Sequence, residues 1–103
     1  MSILTQNSLS LIYEQLIQAG KTLSSKGLLP ATSGNLSMRD LQTGAIYISV
    51  SGKCKGQLNS NDFIEIDTSG IPLNPNAAKP SAETLLHTQL YRFSKEINAV
   101  FHI

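Results

Sequence analysis

Tryptophan is absent, cysteine occurs once and histidine only twice. A single cysteine, Cys54, rules out an intramolecular disulfide and fits a reducing compartment. Flanked by Lys53 and Lys55, it reads either as an activated thiol or, the favoured reading, as a plain surface or turn thiol. Charge is also scarce: 15% of residues are charged and the net charge is +1. No strong field for nucleic acid or a membrane surface follows from that balance. Lys21, Lys26, Lys53, Lys55, Lys79 and Lys95 are scattered rather than run together, and the expectation for most of them is a solvated surface. No stretch approaches the roughly 18 apolar residues of a membrane span, and no charged segment followed by an apolar run opens the chain. The expected location is therefore cytoplasmic, with no membrane and no nucleic-acid partner. What remains is ordinary: 41% hydrophobic residues, enough for one small domain over residues 1–103.

Local patterns divide the chain into helices and strands. Residues 1–7 are polar and predict a frayed start. Ser8 or Ser10 is placed to cap a helix running to about Ser25, with Leu9, Ile12, Leu16, Ile17 and Leu23 as its apolar stripe. Gly27 is suited to end it, and Pro30 blocks continuation. Leu36–Arg39 and Ala45–Val50 predict two strands around a hairpin turn at Asp40–Gly44. Leu58–Asp62 predicts a turn or short helix, and Phe63–Asp67 a third strand. Ser81 is a candidate N-cap for a second helix reaching Ser94, with Leu86 and Leu90 facing the core and Leu85 and Phe93 nearby. Residues 97–103 predict a last strand. The order helix, three strands, helix, strand predicts an α/β or α+β arrangement of layers around a largely antiparallel sheet.

Three small polar turns could hold an anion. They are Thr32-Ser33-Gly34-Asn35, Ser49-Val50-Ser51-Gly52, and Ser81 at a helix start. Glycine lets backbone N–H groups approach a ligand, hydroxyls add donors, and a helix N-terminus favours negative charge. Each alone reads first as a turn or cap; the three together make phosphate binding worth stating. Glu83 and His102 are the candidates for chemistry, as a base beside a metal ligand. Taken singly, Glu83 reads as a first-turn acid stabilising a helix dipole. His102 reads as a core histidine, and His87, one turn beyond Glu83, as a partly buried structural one. One histidine does not make a metal site.

Four segments, in order, carry a resemblance. They are Thr32-Ser33-Gly34-Asn35-Leu36-Ser37, Ser51-Gly52, Lys79-Pro80-Ser81-Ala82-Glu83 and Ala99-Val100-Phe101-His102. With this order and spacing the chain resembles the class II aldolase and adducin head family. Residues 48–56, Asp62-Phe63 and 79–91 are most similar to the branch that dehydrates keto-sugar phosphates. The sugar-phosphate aldolases tend to carry two serines before the glutamate, whereas here Ser81 is followed by Ala82.

The resemblance implies a three-layer fold with a central antiparallel sheet, a zinc cofactor (Zn2+), a small sugar-phosphate substrate and a homotetramer. By position it implies that Glu83 is the catalytic acid/base and His102 the first histidine of a His-x-His zinc pair. Thr32, Gly34, Asn35, Ser51, Gly52 and Ser81 fall where the family holds phosphate. It further implies that the chain corresponds to the N-terminal half of such an enzyme, truncated before the second zinc histidine and inactive alone. An aldolase or epimerase of the same family, and a non-catalytic adducin-like scaffold, are the alternatives.

Overall fold

Helix α1 spans Ser2–Ser25, six residues earlier than the first serine expected to cap it. Nothing between Ser2 and Gly20 stops it: the segment holds no proline or glycine, and continuing a helix through such residues costs little. Gly27 closes the end as expected, with φ of 73° and the Leu28 N–H reaching back to the Leu23 carbonyl. The computed structural model describes residues 2–77, 80 and 83–103.

Four antiparallel strands follow the order β3-β2-β1-β4. They are β1 (Asn35–Arg39), β2 (Ile46–Ser49), β3 (Phe63–Ile66) and β4 (Ala99–His102). Each lies inside its predicted segment, give or take a residue at the ends. Two 3-10 turns, Lys55–Gln57 and Ser60–Asp62, link β2 to β3; only the second was expected. Helix α2 (Thr84–Phe93) joins β3 to β4.

Alternation along the strands builds two interiors. On one face Leu36 and Phe63 pack with Ile12 and Leu16 of α1. Tyr13 anchors that helix, stacked on Phe63 and edge-on to Tyr47 at centroid distances of 5.4 and 5.8 Å. On the other face Ile46, Ile48, Val50, Ile64 and Ile66 pack with Tyr91 of α2. The sheet is thus the middle of the three layers the family resemblance implied.

Helix α2 corrects one expectation. Its buried residues are Thr84, His87, Thr88 and Tyr91, while Leu85, Leu86, Leu90 and Phe93 are exposed. The reason lies in β1, whose residues on this face are Asn35, Ser37 and Arg39. Ser37 Oγ lies 2.6 Å from His87 Nδ1 and 2.7 Å from Tyr91 Oη. Arg39 stacks over the Tyr91 ring and donates to the carbonyls of Tyr91, Ser94 and Ile97. These bonds satisfy acceptors that the end of α2 would otherwise leave open. A polar strand face needs a polar helix face, because buried donors and acceptors without partners cost more than buried methyls gain.

Candidate active site

Strand register assembles the first part of the site. Asn35 opens β1, His102 closes β4, and the two stand opposite each other in the ladder. Opposed residues project to the same face, here the one covered by α2. Glu83 occupies the N-cap position of α2. Its Oε2 lies 2.5 Å from His102 Nδ1 and accepts from Asn35 Nδ2 at 3.0 Å. At that distance the carboxylate and the imidazole are in direct polar contact. Both side chains remain reachable, at 36% exposure for His102 and 50% for Glu83.

The Thr32–Asn35 loop is held against this pair by a glycine that cannot be replaced cheaply. Gly34 has φ of 91°, and a Cβ there would sit 2.4 Å from Leu29 Cδ2 and 3.2 Å from the His102 carbonyl. Leu29 is buried beneath it. The second loop, Ser51-Gly52, is brought in by Val50, which bridges to Pro80 and so ties the approach to Glu83 to the end of β2.

A cavity of about 240 Å³ opens between the loops. Thr32, Gly34, Asn35, Ser51 and Gly52 line it with Glu83, so six of the residues expected at the site share one wall. His102 is joined to them through Glu83. Ser81 lies outside the described residues. Two further lining residues, Ser33 and Lys55, were not singled out. Ser33 belongs to the quoted loop. Lys55 reverses the expectation of a solvated lysine, being 1% exposed with its Nζ donating to the carbonyls of Thr32 and Lys53 at 2.9 and 2.7 Å.

Behind the pair, His87 is fully buried, deeper than the partial burial expected. Burial pushes its pKa down to about 4, and neighbouring His102 adds to the shift while Glu83 opposes it. The ring is neutral near pH 7. Tyr91, also buried, is raised to about 12, chiefly by desolvation. Among the described residues no group of three His, Cys, Asp or Glu side chains is placed to hold a metal ion. His102 offers one imidazole where a catalytic zinc site takes three protein ligands, so these residues do not make a zinc site on their own.

Comparisons with known proteins agree with this fold. Residues 14–103 match the family described as Class II Aldolase and Adducin N-terminal domain. The methylthioribulose-1-phosphate dehydratase of Azotobacter vinelandii is 52% identical over 88 residues, covering 85% of this chain and 42% of that protein. The enzyme of that name from Sorangium cellulosum is 44% identical over 95 residues, covering 92% of this chain and 44% of its own length. Among solved structures, YgbL from Escherichia coli superposes with a TM-score of 0.80 at 28% identity, over 93% of this chain and 44% of that one. An L-fuculose 1-phosphate aldolase gives 0.78 at 29% identity, over 90% and 43%. The chain therefore spans less than half the length of each of these relatives. With the match running from Glu14 through both loops, Glu83 and His102, the chain belongs to the class II aldolase and adducin N-terminal domain family.

Proposed function

We propose that this chain carries the base and the phosphate-binding half of a methylthioribulose-1-phosphate dehydratase, a hydro-lyase acting on a keto-sugar phosphate. The observation that carries the reading is the Glu83 carboxylate, held by Asn35 and His102 at the rim of a cavity walled by two glycine-containing polar loops. The similarity to dehydratases of that name supports the choice of reaction.

The residues divide the work. The Thr32–Asn35 and Ser51–Gly52 loops, with Ser81, bind the phosphate through backbone N–H groups and hydroxyls. Holding the phosphate fixes the distance from the sugar carbons to Glu83, which converts a collision into a positioned step. Glu83 takes the proton from the carbon beside the ketone. Asn35 and His102 fix the carboxylate's direction. The hydroxyl on the next carbon then leaves as water, taking that proton from Glu83, and the resulting enol becomes a diketone. His102 would be one ligand of a zinc ion completed by further residues, and such an ion would supply Lewis-acid chemistry at the carbonyl oxygen. A homotetramer, implied by the resemblance, and a cytoplasmic location, expected from the lone cysteine and the lack of a long apolar run, belong to the same proposal.

The test is turnover by the native protein isolated from its own cells. Methylthioribulose 1-phosphate should lose water, while fuculose and ribulose phosphates should not be cleaved or epimerised. Glu83→Gln should lower turnover by a factor on the order of 10³ or more, as loss of a positioned base does. Unchanged turnover in that variant removes Glu83 as the base. Cleavage of fuculose 1-phosphate instead selects the aldolase.

A further inference from the structure

Lys55 is out of place for a lysine. It is 1% exposed, yet it lies in the wall of the cavity, and among the described residues it is the only cation there. An ammonium is rarely taken out of water without an anion to face. Lys55 has only carbonyl dipoles: Thr32 O in one loop and Lys53 O just beyond the other. Two of its three N–H donors are used, and the third has no partner among the described residues. Desolvation holds its pKa below the ordinary lysine value, and the neighbouring Cys54 opposes only part of that shift.

The position is built deliberately into the packing. Gly20 of α1 lies so close that a Cβ there would come within 2.1 Å of the Lys55 carbonyl oxygen. Gly56 presses as tightly on Ser24, where a Cβ would meet Oγ at 2.7 Å. Two glycine contacts therefore seat the Lys55–Gln57 turn against the second half of α1. Its lysine can then pass beneath both loops rather than extend into solvent.

We propose that Lys55 is the charged member of the anion site: it links the Thr32 and Ser51 loops and gives its third donor to a phosphate monoester in the cavity. This rests on the phosphate reading above and adds to it. Loop hydroxyls and amides bind an anion without supplying net charge, and Glu83 on the same wall repels one. Lys55 offsets that repulsion and favours the phosphate end of the substrate at the loop side, leaving Glu83 to the sugar carbons. It is a binding and positioning residue, not a proton donor in the reaction.

The probe is inorganic phosphate, titrated into the 103-residue chain at constant ionic strength and followed by NMR. The Gly34, Ser51 and Gly52 amides should shift together with the Lys55 ε-methylene signal, at one midpoint. Lys55→Met should weaken phosphate binding at least tenfold, and Lys55→Arg should weaken it less. Loop amides that titrate while the ε-methylene stays still, or a Met variant with unchanged affinity, overturn the role of Lys55 and leave the phosphate pocket standing. Amides that never respond overturn the phosphate reading itself, and Lys55 with it. If the Met variant does not fold, the ε-methylene signal of the unaltered chain decides alone.

Discussion

His87 is the residue whose environment departs furthest from its surface behaviour. Its ring is sealed between α2 and β1 with Ser37 on Nδ1, while Nε2 has no partner among the described residues. Glu83, His102, Tyr91 and Arg39 surround the same seam. The folded pKa of about 4 lies below the ordinary value of 6.5. As pH falls through that window the unfolded chain takes up a proton that the folded chain refuses. Stability is therefore lost between about pH 6.5 and pH 4, by roughly 3 kcal/mol, and the loss levels off below. Thermal unfolding across this range should show the slope, and His87→Asn should flatten it; a variant with the same slope would assign the effect to other groups. The sequence offered His87 as a partly buried structural histidine one turn beyond Glu83. How deeply it is buried was not legible, because nothing local says that the strand opposite presents a serine rather than a methyl. Asn35 and Glu83 show the same limit. They are 48 residues apart and meet through register and helix placement, which no local pattern encodes. The ordered set of family-like segments assigned both to one site in advance, Asn35 to the phosphate and Glu83 to the chemistry, without pairing them.

Elements are read best from sequence where burial follows hydrophobicity, and worst where it does not. Strand β2 and the stripe of α1 obey the rule, and both fall where the apolar spacing put them. Helix α2 inverts it: its leucines face outward and its threonines and histidine inward. The Lys55–Gln57 turn was missed for a related reason, since its anchor is the pair of close glycine contacts and not an apolar side chain. That anchor gives a prediction at this scale. Gly20→Ala would normally stabilise a helix interior by about 1 kcal/mol. Here the new methyl meets a backbone oxygen at 2.1 Å, which no rotamer change relieves. Overpacking of this kind costs about 1–3 kcal/mol, and it outweighs the propensity gain. Net destabilisation of up to about 2 kcal/mol in urea unfolding is the expected outcome. A stabilised variant would mean that α1 and the turn are free to move apart. Because the displaced carbonyl belongs to Lys55, the same substitution should also weaken phosphate binding.

At the scale of the whole molecule, the two faces of the sheet are covered but two surfaces are not. Leu86, Leu90 and Phe93 recur at i, i+4 and i+7 along the outer side of α2, with Phe93 85% exposed. Strand β4 stands at the end of the sheet, with no further strand beyond it among the described residues, and it carries the half-exposed Phe101. An apolar helix stripe invites burial, and a free strand edge offers unpaired backbone groups to any extended chain. The chain should therefore self-associate at micromolar concentrations, visible as a concentration-dependent sedimentation coefficient. The two surfaces can be told apart. Replacing Leu86 and Phe93 together by Gln and Ser should reduce association without lowering the melting temperature, because neither side chain is in the core. Association that survives this change would assign the contact to the β4 edge, where pairing depends on backbone and not on the leucines. A strictly monomeric species at all concentrations would mean that neither surface is sticky enough to matter. The same geometry bears on zinc: β4 brings His102 to the site, but the neighbouring imidazole, His87, is fully buried with its Nδ1 against Ser37 Oγ. Self-association through β4 could not repair that unless a neighbouring copy brought its own His102 alongside. Zinc should then bind more tightly as protein concentration rises, a linkage that equilibrium dialysis at two concentrations would detect.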